Sequence, residues 1–394
     1  MNFFCDYEKY KILYLYLKKD ILPNSQYIYN KSKDYKYLSD KYKYKLFGGV
    51  LLNEGNIKKE NLSEKSSNDF YLADLFKTVE YKDKSVLKTK LDLLQDIIDT
   101  KKLNDGNIIG KGSYGTVYKY NEDEKDDKKE YVIKYIEKEP VFARESMNGF
   151  QLTKNLQECN ILYPLAHYKN HIMYEYGGND LLVLINYIYK FDIKTRLRNS
   201  IIIIKKIAEH LNCMYKAGYA YTDLKYENVV YKEVDEGTPD SIKIEINFIQ
   251  YKYITIKIID IDSFVKMEKS SDDMVIKSRI TYTPGYNMPI GMVLNIFPYR
   301  CPILTGFIAM ILLILGIEIG KPFTQLINDY NTDKKNTIIY IKTILLKDIY
   351  YILTIFQKQW LLNLITKSIS YYDTDRYKNF DEFIDELNIF IEKK

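Results

Sequence analysis

Tryptophan is nearly absent from this 394-residue sequence: Trp360 stands alone against 40 tyrosines. Histidine is scarce as well. His167, His171 and His210 show no ligand spacing, and the four cysteines, Cys5, Cys159, Cys213 and Cys301, form no CxxC. These shortages argue against a zinc site or a disulfide framework and fit a reducing intracellular compartment. A strong charge of one sign is also missing. A net charge of +5 over this length carries neither a nucleic-acid nor an acidic-membrane footprint, so no nucleic-acid partner is expected. The opening residues, MNFFCDYEKYK, bring charges too early for the apolar core of a signal peptide, which makes cytoplasm the expected location. Long apolar runs are lacking except for CPILTGFIAMILLILGIEIG (Cys301–Gly320). Its uninterrupted apolar part, about 16 residues, is at the short edge of what a bilayer requires. A helix buried in a large globular lobe reads the same way, and the domain-like sequence on both sides favours it, so no membrane span is expected.

What is present is globular in character, with 46% hydrophobic and 28% charged residues. The length suffices for two folding units. Heavy use of Lys, Ile, Asn and Tyr points to AT-rich coding, so an isolated Tyr or Lys carries little information. Residues 1–100 are Tyr/Lys-rich, without a catalytic motif or repeat, and read as an N-terminal extension of unknown role. Within it NLSEKSSNDF (Asn61–Phe70) reads as a loop. SVLKTKLDLLQDIIDTKK (Ser85–Lys102) has helical periodicity, with Ser85 as its candidate cap. From Asn107 the texture changes. NIIGKGSYGTVYKY alternates and is punctuated by glycine, as in strand–turn–strand. EYVIKYIEK is a further strand after an acidic-basic turn, NEDEKDDKK. IIIIKKIAEHLNCMYKAG (Ile201–Gly218) is a helix stopped by Ala217-Gly218, VDEGTPDS is a loop and ITIKIIDI a strand. From Pro302 onward the chain reads mostly as helix.

Five elements along residues 101–394 carry candidate chemistry. Gly110-x-Gly112-x-x-Gly115-x-Val117 is weak alone, because glycine-rich turns are common. The β-branched and aromatic TVYKY that follows makes it a hairpin rather than the strand-to-helix turn of a dinucleotide fold, and such a hairpin lowers backbone amides onto phosphate oxygens. Lys134 ends a strand, where an ammonium needs either solvent or an anion. In AYTDLKYENVVY, Asp223, Lys225 and Asn228 suit an ordinary helix-to-strand turn. They also suit a site in which a carboxylate accepts a hydroxyl proton, an ammonium neutralises a phosphoryl group and an amide oxygen holds a metal ion. Asp260 follows a strand in IKIIDIDSF, either as a turn residue or as a Mg²⁺ ligand. TYTPGYNMP (Thr281–Pro289) is either a plain turn or a substrate loop.

All five in this order resemble the eukaryotic-type protein kinase family, over about Ile108 to Phe383. The resemblance implies an α+β, bilobal fold: a small β-rich N-lobe (about 101–175) and a larger helical C-lobe (about 176–394), with ATP between them. It implies that Gly110, Gly112, Ser113 and Gly115 cover the phosphates and that Val117 and Val132 sandwich the adenine. Lys134 holds the α- and β-phosphates, and the hinge lies near Glu175 and Tyr176. Asp223 is the catalytic base, Lys225 the γ-phosphate neutraliser, Asn228 and Asp260 the Mg²⁺ ligands, and Thr283 the threonine that contacts the catalytic aspartate. Asp-Leu-Lys and Thr283-Pro284 resemble serine/threonine rather than tyrosine kinases.

Departures from the family pattern are specific. The activating glutamate is Glu145 by counting back from the hinge, with Glu158 as the alternative. Asp260-Ile261-Asp262 stands for Asp-Phe-Gly; replacement of the triplet's second half also occurs in kinases of large DNA viruses, which fits the coding bias and adds the virion to the expected locations. Tyr221 and Thr222 stand where the family has His and Arg, and without that arginine activity should not need a phosphorylated activation loop. Ile290 replaces a glutamate that would pair Arg376, so Arg376 is expected to find Asp373, Asp375 or a carbonyl. Cys301 or Pro302 falls where an aspartate ties the catalytic loop to the central helix. The expected activity is transfer of the γ-phosphoryl group of Mg-ATP to a serine or threonine of a protein substrate; the alternatives are a pseudokinase scaffold and a kinase-like small-molecule phosphotransferase.

Overall fold

The computed structural model describes residues 84–112, 115–124, 127–138, 141–142, 145–146, 159–246, 250–269, 274–275, 300–317, 323–370 and 375–392. The stretches NLSEKSSNDF and TYTPGYNMP lie outside them.

The alternating stretch after Asn107 forms three antiparallel strands, β1 (Ile108–Gly112), β2 (Gly115–Glu124) and β3 (Asp127–Ile136). NEDEKDDKK, expected to be a turn, is mostly ladder: Glu122 lies opposite Lys129 and Asp123 opposite Lys128. At the described pair Glu122 and Lys129 opposite charges stand across the ladder, and this outweighs the turn preference of Asn and Asp. Strands β4 (Pro164–Tyr168) and β5 (His171–Glu175) complete a five-stranded sheet in the order β1-β2-β3-β5-β4.

The period-two alternation of β3 gives the sheet its two faces. Tyr131 and Ile133 are buried on one face, under helix α1 (Lys84–Asp99), whose Leu94 and Ile97 join them in a core with Ala166 and Met173. Leu91, Leu94, Ile97 and Ile98 recur at helical spacing, which is why α1 has one apolar stripe to bury. Ser85 lies within this helix rather than at its cap. Val132 and Lys134 project from the other face, which is the face of the candidate site.

Beyond the hinge residues 176–178 come β6 (Asn179–Asp180), α2 (Leu181–Ile188) and α3 (Ile193–Lys216). The Asp192 carboxylate caps α3 by accepting from the amides of Lys194 and Thr195, and Gly218 takes the left-handed conformation (φ 87°) just past its end. Strands β7 (Tyr219–Tyr221), β8 (Val229–Val234), β9 (Ile242–Glu245), β10 (Tyr251–Ile258) and β11 (Phe264–Lys266) follow. Two pairings matter for the site: β8 with β10, and β7 with β11.

The apolar run near residue 300 is a core helix, α4 (Arg300–Leu315), with Leu304, Phe307, Ile308, Ile311 and Ile314 fully buried. Further described α-helices are α5 (Phe323–Thr332), α6 (Lys334–Tyr340), α7 (Lys347–Tyr350), α8 (Ile355–Ile369) and α9 (Phe380–Glu392). Helix α4 packs against α3 and α8, and α9 against α3. Its apolar circumference is therefore explained by neighbours on several sides. No described helix is long and apolar enough to cross a membrane. Arg376 is buried, while Asp375 pairs with Lys334 at 2.8 Å; Asp373 and Ile290 lie outside the described residues. The two-lobed α+β architecture implied by the family resemblance is the one observed.

The cysteine expectation is overturned as well. Cys159 and Cys213, 54 residues apart, form a disulfide with a Cα–Cα distance of 5.5 Å. Sequence spacing carried no sign of it. The fold lays the segment before β4 against α3: Leu162 N–H donates to Ile258 O at the end of β10, and the Asn160 amide and the His210 ring of α3 meet at Asp240.

Candidate active site

The β3 alternation aims Lys134 into a cleft, where its ammonium meets two carboxylates. Nζ lies 2.9 and 2.8 Å from the two Glu145 oxygens and 3.3 Å from Asp260 Oδ1. Glu145 is only 1% exposed, and these partners offset the cost of burying a carboxylate. It sits in a helical segment whose described residues include Ser146, only eleven positions after Lys134. Glu158, the alternative, lies outside the described residues.

The loop between β7 and β8 presents Asp223, Lys225 and Asn228. Asp223 is 3% exposed. Its Oδ2 is 3.2 Å from Lys225 Nζ and 3.3 Å from Asn228 Nδ2, and the same amide donates to Asp223 O at 2.9 Å. This turns the Asn228 amide oxygen away from Asp223. Asp223 Oδ1, fully buried, accepts no hydrogen bond from the described residues. The loop is held at its β7 end. Tyr221 O–H donates to Ile259 O at 3.0 Å and its ring packs on Phe264, while Thr222 donates through both its amide and its hydroxyl to Ser263 O.

Asp260 has the left-handed conformation (φ 66°, ψ 64°), a region that aspartate enters more readily than most residues. Ser263 fixes the turn: its amide donates to Asp260 O and its hydroxyl to Asp260 Oδ2, both at 3.1 Å. The Asp260 carboxylate is thus held between Lys134 and Ser263. Asp262, whose side chain lies outside the described ones, follows in the same short 3-10 turn.

Of the three hairpin glycines, Gly115 is sterically required: a Cβ there would lie 1.8 Å from Tyr135 O on β3. At Gly110 a Cβ would meet only Val117, at 3.8 Å. Glu175 turns its carboxylate outward to Lys257 at 3.2 Å, and the Tyr176 ring lies under the Lys119 ammonium. Ser113 and Thr283 lie outside the described residues, as do the side chains of Cys301 and Pro302.

One cavity of about 700 Å³ gathers these groups. Gly110, Gly115, Val117, Val132, Lys134, Glu145, Glu175, Tyr176, Asp223, Lys225, Asn228 and Asp260 all line it. Its size suits a nucleotide-sized ligand. Carboxylate and amide oxygens at Asp260 and Asn228 are the donor set of a hard divalent cation, and the ammonium of Lys134 suits a phosphate chain.

Four residues at or behind the site escaped the sequence reading. Tyr174 O–H donates to Glu145 Oε1 at 2.8 Å, Ser263 holds Asp260, and the pair of Ser146 and His167 lies behind the Glu145 segment at 2.9 Å. The tyrosine offered no signal in a chain with 40 of them. Ser263 stands three residues after a candidate ligand, which is the one spacing that could have drawn attention to it.

No curated protein matches this chain. The family model described as the protein kinase domain matches residues 103–291, the span from the approach to the first described strand through the Asp260 segment and beyond, so this part of the chain is similar to a protein kinase domain.

Proposed function

We propose that this chain is a serine/threonine protein kinase that transfers the γ-phosphoryl group of Mg-ATP to a hydroxyl of a protein substrate, with Asp223 as the base. The observation that carries this reading is the unequal treatment of the two Asp223 oxygens. Oδ2 is held by Lys225 and Asn228, whereas the buried Oδ1 accepts no hydrogen bond from the described residues. A buried carboxylate oxygen left without a donor is costly, and an incoming hydroxyl would supply one.

In that pose Oδ1 takes the hydroxyl proton. The hydroxyl oxygen bonds to the γ-phosphorus, the bond from that phosphorus to its bridging oxygen breaks, and ADP leaves. Lys225, 3.2 Å from Oδ2, is near enough to neutralise charge on the transferring group. Asp260 and Asn228 would hold Mg²⁺, which offsets charge on the phosphate oxygens. Lys134, braced by Glu145, would pair with the α- and β-phosphates, with Gly110, Gly112 and Gly115 above them and Val117 and Val132 against the base. Lys225 two residues after Asp223, together with Thr283-Pro284, supports serine and threonine over tyrosine as acceptors.

The test is transfer of labelled γ-phosphate from Mg-ATP to casein, followed by phosphoamino-acid analysis. Asp223→Asn and Lys134→Ala should each lower transfer by about 10²-fold or more, as expected for loss of a positioned base or a phosphate clamp. Transfer that survives Asp223→Asn overturns the assigned base, and phosphotyrosine as the product overturns the acceptor class. A folded wild type that binds nucleotide but transfers nothing would make this a non-catalytic scaffold.

A further inference from the structure

The Lys134–Glu145 pair has a third member that the kinase reading does not use. Tyr174 on β5 is the direct cross-strand partner of Val132 on β3, so it projects from the same face of the sheet as Val132 and Lys134. Its hydroxyl donates to Glu145 Oε1 at 2.8 Å, in a buried contact. That oxygen also accepts from Lys134 at 2.9 Å, while Oε2 accepts from Lys134 at 2.8 Å. One buried carboxylate is therefore gripped from two neighbouring strands, by an ammonium whose position catalysis depends on and by a phenol that has no chemistry to perform.

The next residue supplies a second tie. Ser146 Oγ and His167 Nδ1 on β4 are 2.9 Å apart, and both side chains are buried. Successive helical residues project about 100° apart around the axis, so contacts made by 145 and 146 to different strands fix the rotation of the segment as well as its distance from the sheet. Phe142, in the same segment, packs edge-on against the His167 ring.

We propose that Tyr174 is a positioning residue for phosphoryl transfer: its hydroxyl orients the Glu145 carboxylate, and through it the Lys134 ammonium. Together with the Ser146–His167 tie, it keeps the Lys134–Glu145 pair assembled from within the chain. Tyr174 acts through Glu145 and does not itself touch the transferred group. The inference rests on the kinase reading of the site.

The experiment is a double-mutant cycle of Tyr174→Phe with Glu145→Ala, read as kcat and KM for Mg-ATP and, independently of turnover, as Mg-ATP affinity by calorimetry. Tyr174→Phe removes one oxygen and keeps the ring, so melting temperature checks that folding is retained. In the wild-type background it should lower kcat/KM for Mg-ATP about tenfold, the lower end for a hydrogen bond to a charged group, because Lys134 still grips the carboxylate. In the Glu145→Ala background the same change should have less than about a twofold effect. Equal losses in both backgrounds, or no loss in the wild type, overturn the proposal. If Glu145→Ala does not fold, Lys134→Met takes its place with affinity as the readout, and the Tyr174→Phe effect should again vanish. A wild type that binds Mg-ATP with this coupling yet transfers no phosphate overturns the kinase reading and leaves the positioning role standing. A wild type that neither binds nor transfers overturns both.

Discussion

The Tyr221 hydroxyl donates to the carbonyl of Ile259, 3.0 Å away, and so joins the strand leading into Asp223 to the residue that precedes Asp260. Two aspartates 37 positions apart are thereby kept in register by one phenol and by the β7–β11 pairing around it. Tyr221→Phe should cost about 1 kcal/mol of stability, since it deletes the hydrogen bond and keeps the ring on Phe264. Tyr221→Ala should cost about 3–5 kcal/mol through the cavity it leaves. Urea unfolding separates the two. Phosphotransfer should fall several-fold in the Phe variant if the bond orients Asp260, and an unchanged rate would confine Tyr221 to folding.

Gly115 and Gly110 should respond differently to a methyl group. Gly115→Ala forces a Cβ onto the Tyr135 carbonyl and should destabilise the hairpin by about 1–3 kcal/mol. Gly110→Ala meets only ordinary contact and should leave stability within about 0.5 kcal/mol. A weaker Mg-ATP affinity in Gly110→Ala at unchanged melting temperature would place its effect on the ligand rather than on the fold.

The Cys159–Cys213 bridge closes a long loop, 54 residues in sequence. In the chain-entropy account such a crosslink stabilises by about 4 kcal/mol. Thiol titration of the unfolded, unreduced chain should find two fewer thiols than the four in the sequence. Reductant or Cys213→Ser should lower the melting temperature, and the two treatments should not add. Four titratable thiols in the native preparation would remove the bridge from the account.

Burial holds the His167 imidazole neutral, with a pKa lowered from 6.5 to about 4. The unfolded chain therefore binds more protons between these values, so stability is greatest above pH 6.5 and falls as pH drops toward 4. At pH 5 this one group should cost about 2 kcal/mol relative to neutral pH. Urea midpoints at pH 7.5 and 5 should diverge in the wild type and much less in His167→Gln. Equal slopes would assign the acid sensitivity elsewhere.

Thr222 is buried, and its hydroxyl is committed to Ser263 O. No guanidinium stands there to receive a phosphate from an activation loop. Phosphatase treatment of purified protein should leave phosphotransfer within about twofold of the untreated rate, on the same charge argument. A large loss would show that another cation takes that role.

Residue types whose chemistry has few substitutes were legible along the chain. Glycines in a strand–turn–strand, a lysine two residues from Val132 on the same strand face, Asp223 five before Asn228, and Asp260 after a strand are local patterns set by short spacings. The apolar run of α4 was equally legible as a core helix, because soluble sequence flanks it. What closed the site was decided elsewhere. Glu145 reaches Lys134 because a segment eleven residues on folds back over the sheet. Tyr174 reaches Glu145 because β5 lies beside β3, and Cys159 reaches Cys213 because the segment before β4 lies on α3. These are contacts between residues distant in sequence, made by a tyrosine and cysteines whose local surroundings carry no pattern. Their geometry follows from how strands and helices pack, and that exists only once the chain has folded.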